Sequence, residues 1–427
     1  MKKMKLTALE RSWILYDVGN SAFVLLCSTI LPIYFNALAT SAGLNEDLYL
    51  SYWAYAGAIA TALVALIGPV CGAMADQKGF KKAIFLLCMA VGAVGCAALG
   101  LAWSWLVFLV IFILAKVGFS SSLVFYDSML PEITTEDRVD KISSQGYAYG
   151  YIGSVIPFVL CLGLVLGYDL IGLTQNTAMI LAFLLTACWW ICCTAPLVKN
   201  YRQTAYVERR EHPIRDAFGE LGKTLSHAKK HPKILLYLVA FFFFINGVYT
   251  IIDMATAYGT SLGLDTTGLL LALLVTQVVA FPFAIIFGRL ATKVSAGKLI
   301  KLCIICYSVI IAFAVFLVAQ WQFWLLAVLV GMFQGGIQAL SRSYLARIIP
   351  AERSGAYFGL MDICGKGASF LGMLLVATIN NVFAGVKIPV FGITLVNENI
   401  AVSSLLILMV AGFILFCKAD KLSNEQE

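Results

Sequence analysis

Lys116 stands in the middle of an apolar run, VFLVIFILAKVGFSSSLVF, where its side chain cannot easily reach water at either end. Asp17, Asp253, Asp362 and Lys366 also lie inside apolar runs. A charge at such depth is costly, so it faces a cavity or a partner. An ammonium there attracts a solute carboxylate or a neighbouring acid such as Asp17. A carboxylate there attracts an amine or takes up a proton. Asp362 and Lys366 are four residues apart, the spacing of an intrahelical ion pair, which is structural or exchanges partners during a conformational change.

Polar residues at helical spacing extend these points into stripes. One holds Asp17, Asn20, Ser21 and Ser28; a second Lys116, Ser120 and Asp127; a third Asn246, Thr250 and Asp253; a fourth Gln334, Gln338, Ser341 and Arg342. Each has a plainer alternative. Asp17 is about one turn inside its run and can cap or pair near the headgroups. Asp127 and Arg342 can reach water at their run ends. Asp253 either gates the outer end of its run or meets water there.

The elements that carry these stripes are membrane spans. Of 427 residues 61% are hydrophobic and 12% charged, which excludes a water-soluble domain of this length. A helix crossing a bilayer needs about 20 apolar residues. Such spans are predicted at 13–35, 49–73, 82–102, 104–126, 143–167, 176–197, 233–258, 266–290, 299–319, 322–345, 355–379 and 400–417. Backbone in lipid must satisfy its own hydrogen bonds, so the spans are helices and the fold is an all-α integral membrane protein. The first span differs from a cleaved signal peptide, despite Ala37-Leu38-Ala39, in its length and in carrying Asp17 and Asn20.

Of the 30 Lys and Arg, only Lys116, Lys366 and Lys387 fall outside the N-terminus, the C-terminus and alternate connections. The positive-inside rule places both termini in the cytoplasm. The net charge of +7 follows from that topology and does not mark a nucleic-acid partner. The twelve Cys are scattered through the spans as small hydrophobes; Cys303 and Cys306 have CxxC spacing without a second pair. His212, His227 and His231 all lie in the central polar segment, as solvated residues. No metal and no cofactor is expected.

Residues 198–232 form the one long polar interruption, with a helix expected over Ile214–Lys230. They divide the chain into 1–197, a first bundle of six spans, and 233–427, a second. The fourth and tenth spans repeat: Gly118 and Gly336 precede Pro131 and Pro350 at similar distances, and Lys116 falls opposite Gln334. GAMADQKGFKK after the second span and GRLATKVSAGK after the eighth repeat more weakly.

Gly72, Asp76, Gly79, Lys81 and Lys82 resemble the signature between the second and third helices of the major facilitator superfamily, and the resemblance covers essentially the whole chain. Gly79 permits a tight turn, and Asp76 can cap a neighbouring helix and pair with basic residues. Two positions depart from the pattern. Gln77 replaces the usual base, and Thr292 stands where the second copy would carry an acid, so an asymmetric latch is expected. ERSWILYDVGNSAF (Glu10 to Phe23), GGIQALSRSYLARIIP (Gly335 to Pro350) and FGLMDICGKGASFLG (Phe358 to Gly372) resemble the vacuole-effluxer-like branch, which includes autophagy-related vacuolar amino-acid exporters. Asn246 stands where that branch often has Asp.

The resemblance implies two pseudo-symmetric six-helix bundles working by alternating access. It also implies a central cavity lined by the first, fourth, seventh and tenth helices, hence by Asp17, Asn20, Ser21, Lys116, Ser120, Asn246, Thr250, Asp253, Gln334 and Gln338. Gly72, Asp76, Gly79, Lys81, Lys82, Arg342, Asp362 and Lys366 are the expected gating set. No GxxxxGK[ST] run occurs, so an ion gradient or the solute's own gradient supplies the driving force. The expected protein is a monomeric secondary transporter of a small polar solute, an amino acid by this resemblance, coupled to a proton or other ion. Compact loops suit a bacterial inner membrane, and efflux rests on the resemblance alone. A receptor or sensor on the same scaffold is the second reading, with 198–232 as its output. An HExxH motif is absent and no span contains His, which argues against an enzyme.

Overall fold

A computed structural model describes residues 5–44, 46–209, 213–261, 263–383, 385–390 and 393–422. Lys2, Lys3, Arg210 and His212 lie outside the described residues. Among the described residues, twelve helical segments are long and apolar enough to cross a membrane. Each overlaps one of the predicted spans. The first is broken: α1 (Ala8–Ser28) and α2 (Ile30–Ser41) meet at Thr29. Pro32 accounts for the break, because it has no N–H to give the Ser28 carbonyl and its ring crowds that group. Thr7 starts α1 with a reciprocal capping box to Glu10.

The other spans are α3 (Glu46–Ala75), α4 (Phe80–Ala98), α5 (Trp105–Ser128), α7 (Val139–Leu166) and α8 (Gln175–Asn200), with a single turn α6 (Leu130–Ile133) after α5. The linker helix α9 (Pro213–Lys230) begins one residue before its predicted start. Then come α10 (Pro232–Ser261), α11 (Thr266–Leu290), α12 (Ala296–Val315), α13 (Gln320–Ile348) and α14 (Ser354–Val382). A short antiparallel hairpin, β1 (Ile388–Val390) and β2 (Ile393–Leu395), leads to α15 (Asn397–Ser403) and α16 (Leu405–Lys421). The hairpin was not predicted; its strands are three residues each, too short to register as alternation.

Two compact units result. The first comprises Met1–Thr135, Tyr149–Leu221 and Ala351–Gly359; the second Glu136–Ala148, Gly222–Pro350 and Leu360–Glu427. Both departures from a simple division of the sequence occur at helix starts. The opening turns of α7 belong to the second unit, and those of α14 to the first.

Within the first unit α1 is held by aromatic packing. Trp13 stacks on Tyr126 with ring centroids 4.3 Å apart and donates from Nε1 to the Tyr126 carbonyl at 3.0 Å. Within the second unit Tyr237, Tyr344 and Phe416 form the matching cluster. The outward faces stay apolar and exposed, as at Leu63, Leu66 and Ile67 on α3 and Leu302, Ile305 and Val309 on α12. A row of exposed aliphatic side chains at helical spacing is what a lipid-facing surface requires.

Candidate functional site

In the first unit Lys116 lies eleven residues into the 24-residue α5, about 17 Å from either end. Its ammonium sits over the Phe112 ring, 5.6 Å from the centroid, and Gly57 of α3 leaves room beside it. A Cβ at Gly57 would come 3.8 Å from Nζ. No carboxylate among the described residues pairs with Lys116. Its electrostatic neighbour on α1 is Cys27. Asp17 is ten residues earlier on α1, about 15 Å along the axis. Neutralisation of Asp17 by Lys116 is therefore not what the fold provides, and a single small solute does not bridge the two in this arrangement. Asp17 and Asn20 do come together: Asn20 Nδ2 donates to Asp17 Oδ1 at 3.4 Å and to the Tyr16 carbonyl at 3.0 Å. Ser21 lies against Gly150 of α7, and Ser120 is buried.

The loop after α3 builds a second arrangement in the first unit. Asp76 accepts from the Gly355 and Ala356 N–H groups at 2.7 and 2.9 Å, in the first turn of α14. These are among the helix donors that lack an intrahelical acceptor, and the carboxylate also meets the positive end of the helix dipole. Gly72 makes the approach possible, since a Cβ there would overlap the Gly355 carbonyl. Lys81 is fully buried, with Nζ 2.8 Å from Glu132 Oε1, 2.9 Å from Ser354 Oγ and 3.7 Å from Asp76. Burial pushes the Asp76 carboxyl up to about 7, against the opposing pull of Lys81 and the two N–H groups.

The start of the linker straps this loop down. Thr204 and Ala205 donate their N–H groups to Glu132 Oε2 at 2.6 and 3.1 Å, and the Tyr201 hydroxyl donates to Oε1 at 3.0 Å. Burial raises the Tyr201 hydroxyl further, so it stays protonated and donates. Val207 forms a parallel bridge with Gln77, giving its N–H to the Asp76 carbonyl and accepting from Lys78 N–H. Gln77 is 1% exposed beneath the strap. An uncharged residue therefore suits a position where the superfamily pattern carries a base. Gly79 has φ +83°, a left-handed value that favours glycine, and donates to Gln203 Oε1 at 2.9 Å. Lys82 reaches the Tyr201 carbonyl at 3.3 Å.

The second unit answers with different chemistry. A Cβ on Gly288 would meet Ser144 of α7 at 2.7 Å, as one on Gly72 would meet Gly355. Thr292 is exposed and bonds back to the Arg289 carbonyl. The acid comes instead from α7 itself: Asp140 accepts from Ser343 Oγ at 2.6 Å and pairs with Arg347. Arg342 is 3% exposed, donates to Ser143 Oγ and the Ser143 carbonyl at 2.9 Å each, and lies over the Tyr147 ring. It does not extend to water.

The third stripe meets α14. Ser369 Oγ donates to Asp253 Oδ2 at 2.6 Å, and Gly365 packs beside Tyr249. Asn246 and Thr250 are 2% and 1% exposed, bonded to each other, and a Cβ on Gly372 would overlap both. Asp362 and Lys366 form the expected intrahelical pair. Gln334 is buried and its Oε1 has no hydrogen-bond partner; Gln338 is half-buried on the same face.

Glu132, Asp140, Ser143, Ser354 and Ser369 were missed from sequence. Glu132 directly follows Pro131 of the internal repeat, the one local signal available. The others act through contacts with residues more than a hundred positions away.

A family model for "Vacuole effluxer Atg22 like" proteins matches residues 8–421. The chain belongs to this family. An uncharacterized MFS-type transporter, YxiO of Bacillus subtilis, is 37% identical over 96% of this chain and 94% of its own length. Autophagy-related protein 22 of Coccidioides immitis is 26% identical over 59% of this chain, which spans 45% of that longer protein. The solved structure of FucP, a major facilitator superfamily transporter in the outward conformation, superposes with a TM-score of 0.69 at 14% identity, covering 97% of this chain and 98% of FucP. This family member thus has the major facilitator fold and is a secondary transporter rather than an enzyme. It is an integral, multi-pass membrane protein.

Proposed function

We propose that this transporter exports a small solute bearing a carboxylate, an amino acid above all, from a bacterial cytoplasm across the inner membrane. The observation that carries this reading is Lys116, an ammonium at mid-span without a carboxylate partner among the described residues, seated on an aromatic face. An unneutralised cation at that depth is costly unless an anion arrives to share it. The orphan acceptor of Gln334 supports a solute that also carries N–H donors. The family's effluxer description supports the direction.

In this proposal both termini are cytoplasmic, which places the Asp76 and Arg342 networks on the cytoplasmic side. Two bundles, 1–197 and 233–427, rock about the segment 198–232 in a monomer, driven by a proton or other ion. Asp17, Asn20, Ser21 and Ser120 line the path in the first bundle, and Asn246, Thr250, Asp253, Gln334 and Gln338 in the second. Release of Gly72, Asp76, Gly79, Lys81, Lys82 and Arg342 from their contacts accompanies opening, with Asp362 and Lys366 exchanging partners.

Counterflow in proteoliposomes tests it without assuming a coupling ion. Vesicles loaded with an amino-acid pool should accumulate labelled Leu, Tyr or Glu, and Lys116→Gln should abolish the accumulation. Folded protein that accumulates none of the three overturns the amino-acid reading and leaves the transporter fold standing.

A further inference from the structure

The outer face of the second unit carries a crevice apart from the polar stripes. It lies between α12 and α16, has a volume of about 310 Å³, and is lined by Ile304, Ile305, Ser308, Val309, Ala312, Val410 and Phe413. Ile305, Val309 and Val410 are strongly exposed, so the crevice opens toward the lipid. Ile304 to Ala312 spans about 12 Å of helix, close to the ~15 Å depth of one leaflet's hydrocarbon.

The two helices bring their basic ends together at one mouth of this crevice. Lys301 near the start of α12 bonds Asp420 near the end of α16 at 2.6 Å, and Tyr344 donates to the other Asp420 oxygen at 3.3 Å. Asp420 also packs against Gly297. That acid is therefore engaged, while Lys298, Lys418 and Lys421 around it are exposed. Among the described residues no carboxylate pairs with these three lysines. Lys298 is six residues from Ile304 and Lys421 eight from Phe413, near the crevice faces of their helices, so these charges stand about 9–12 Å beyond the apolar lining, while Lys418 lies on another face of α16. A phospholipid has this layout: phosphate, then glycerol and ester, then acyl chain.

We propose that this crevice seats an acyl chain of an anionic phospholipid whose phosphate is held by Lys298 and Lys421. Charge complementarity selects the occupant. A zwitterionic lipid brings a compensating cation to lysines that no carboxylate among the described residues pairs with, and a free phosphate leaves the apolar crevice unfilled.

The test uses the full chain in detergent, with retained lipid counted by native mass spectrometry and thermal stability followed during lipid addition. The probes are phosphatidylglycerol, phosphatidylcholine of the same chains, and glycerol phosphate. Phosphatidylglycerol should be retained and should raise the melting temperature, and the other two should not. Lys298→Gln combined with Lys421→Gln should weaken phosphatidylglycerol on the order of 30-fold. Ala312→Phe, which fills the crevice and leaves the charges in place, should weaken it independently. Equal stabilisation by phosphatidylcholine overturns the headgroup assignment, and equal stabilisation by glycerol phosphate overturns the acyl-chain assignment. Phosphatidylglycerol binding unchanged in both variants overturns the site. The lysine variant alters exposed side chains, so its fold can be checked by its melting temperature without lipid.

Discussion

Asp76 and Gly355, 279 residues apart, are joined by a 2.7 Å hydrogen bond from the Gly355 N–H to the Asp76 carboxylate. The adjoining Ala356 N–H donates to the second carboxylate oxygen, so one side chain caps a helix far away in the sequence. Asp76→Asn keeps one acceptor and turns the other into a donor facing an N–H. A buried charge-assisted bond of this kind is worth about 2 kcal/mol, or roughly thirtyfold in the population of the capped state. Turnover in exchange assays should fall by that order while KM changes less. A change confined to KM would remove Asp76 from the conformational step.

The same carboxyl gives a pH dependence. Its value is raised from 3.8 to about 7 by burial. A raised value means that the folded arrangement holds its proton more tightly than the unfolded chain does. The stabilisation linked to that proton is fully present below 3.8 and is lost as pH rises through about 7. The difference in melting temperature between wild type and Asp76→Asn should therefore shift against wild type from pH 5 to pH 8. A difference that does not vary with pH would show that Asp76 keeps one protonation state over this range.

Glu132 holds the strap through Thr204, Ala205 and Tyr201. Glu132→Gln should loosen residues 201–208, and trypsin should cut faster after Arg202 and Arg209, on the order of tenfold for a loss of ~1.5 kcal/mol. Cleavage at the wild-type rate would mean that the bridge between Gln77 and Val207 suffices to hold the segment.

Gly72 and Gly288 should both resist enlargement. Ala at either position places a methyl group against the Gly355 carbonyl or the Ser144 side chain and should cost about 1–3 kcal/mol. Gly222, with nothing within 4 Å of a Cβ, serves as the control. Thermal melts of the three Ala variants compare them directly; equal melts would mean the helices shift apart at no cost.

Lys116→Gln should insert and melt like wild type and lose at least tenfold in transport, because a neutral amide forfeits the charge-assisted contact to a solute carboxylate. Lys116→Arg should retain part of the flux. Unchanged flux in Lys116→Gln would take the residue out of the solute path.

The twelve spans, the linker helix and the Gly72 to Lys82 signature could be read from the residues in order. Each is a local property: a run of apolar residues long enough for a bilayer, a polar interruption, a glycine where the chain must turn. Lys116 could likewise be singled out, since depth in a span follows from counting residues. The linear order said nothing about partners. Lys81 could be read as part of a turn signature, and its burial between Glu132 and Ser354 could not. Arg342 looked able to reach water and is closed in by Ser143 and Tyr147. Asp17 was one of two partners open to Lys116, and the two lie at different depths. Helical spacing fixes which side chains share a face and how deep each one lies. Which face meets which is set by small residues such as Gly72, Gly288 and Gly372, whose missing side chains let distant helices approach.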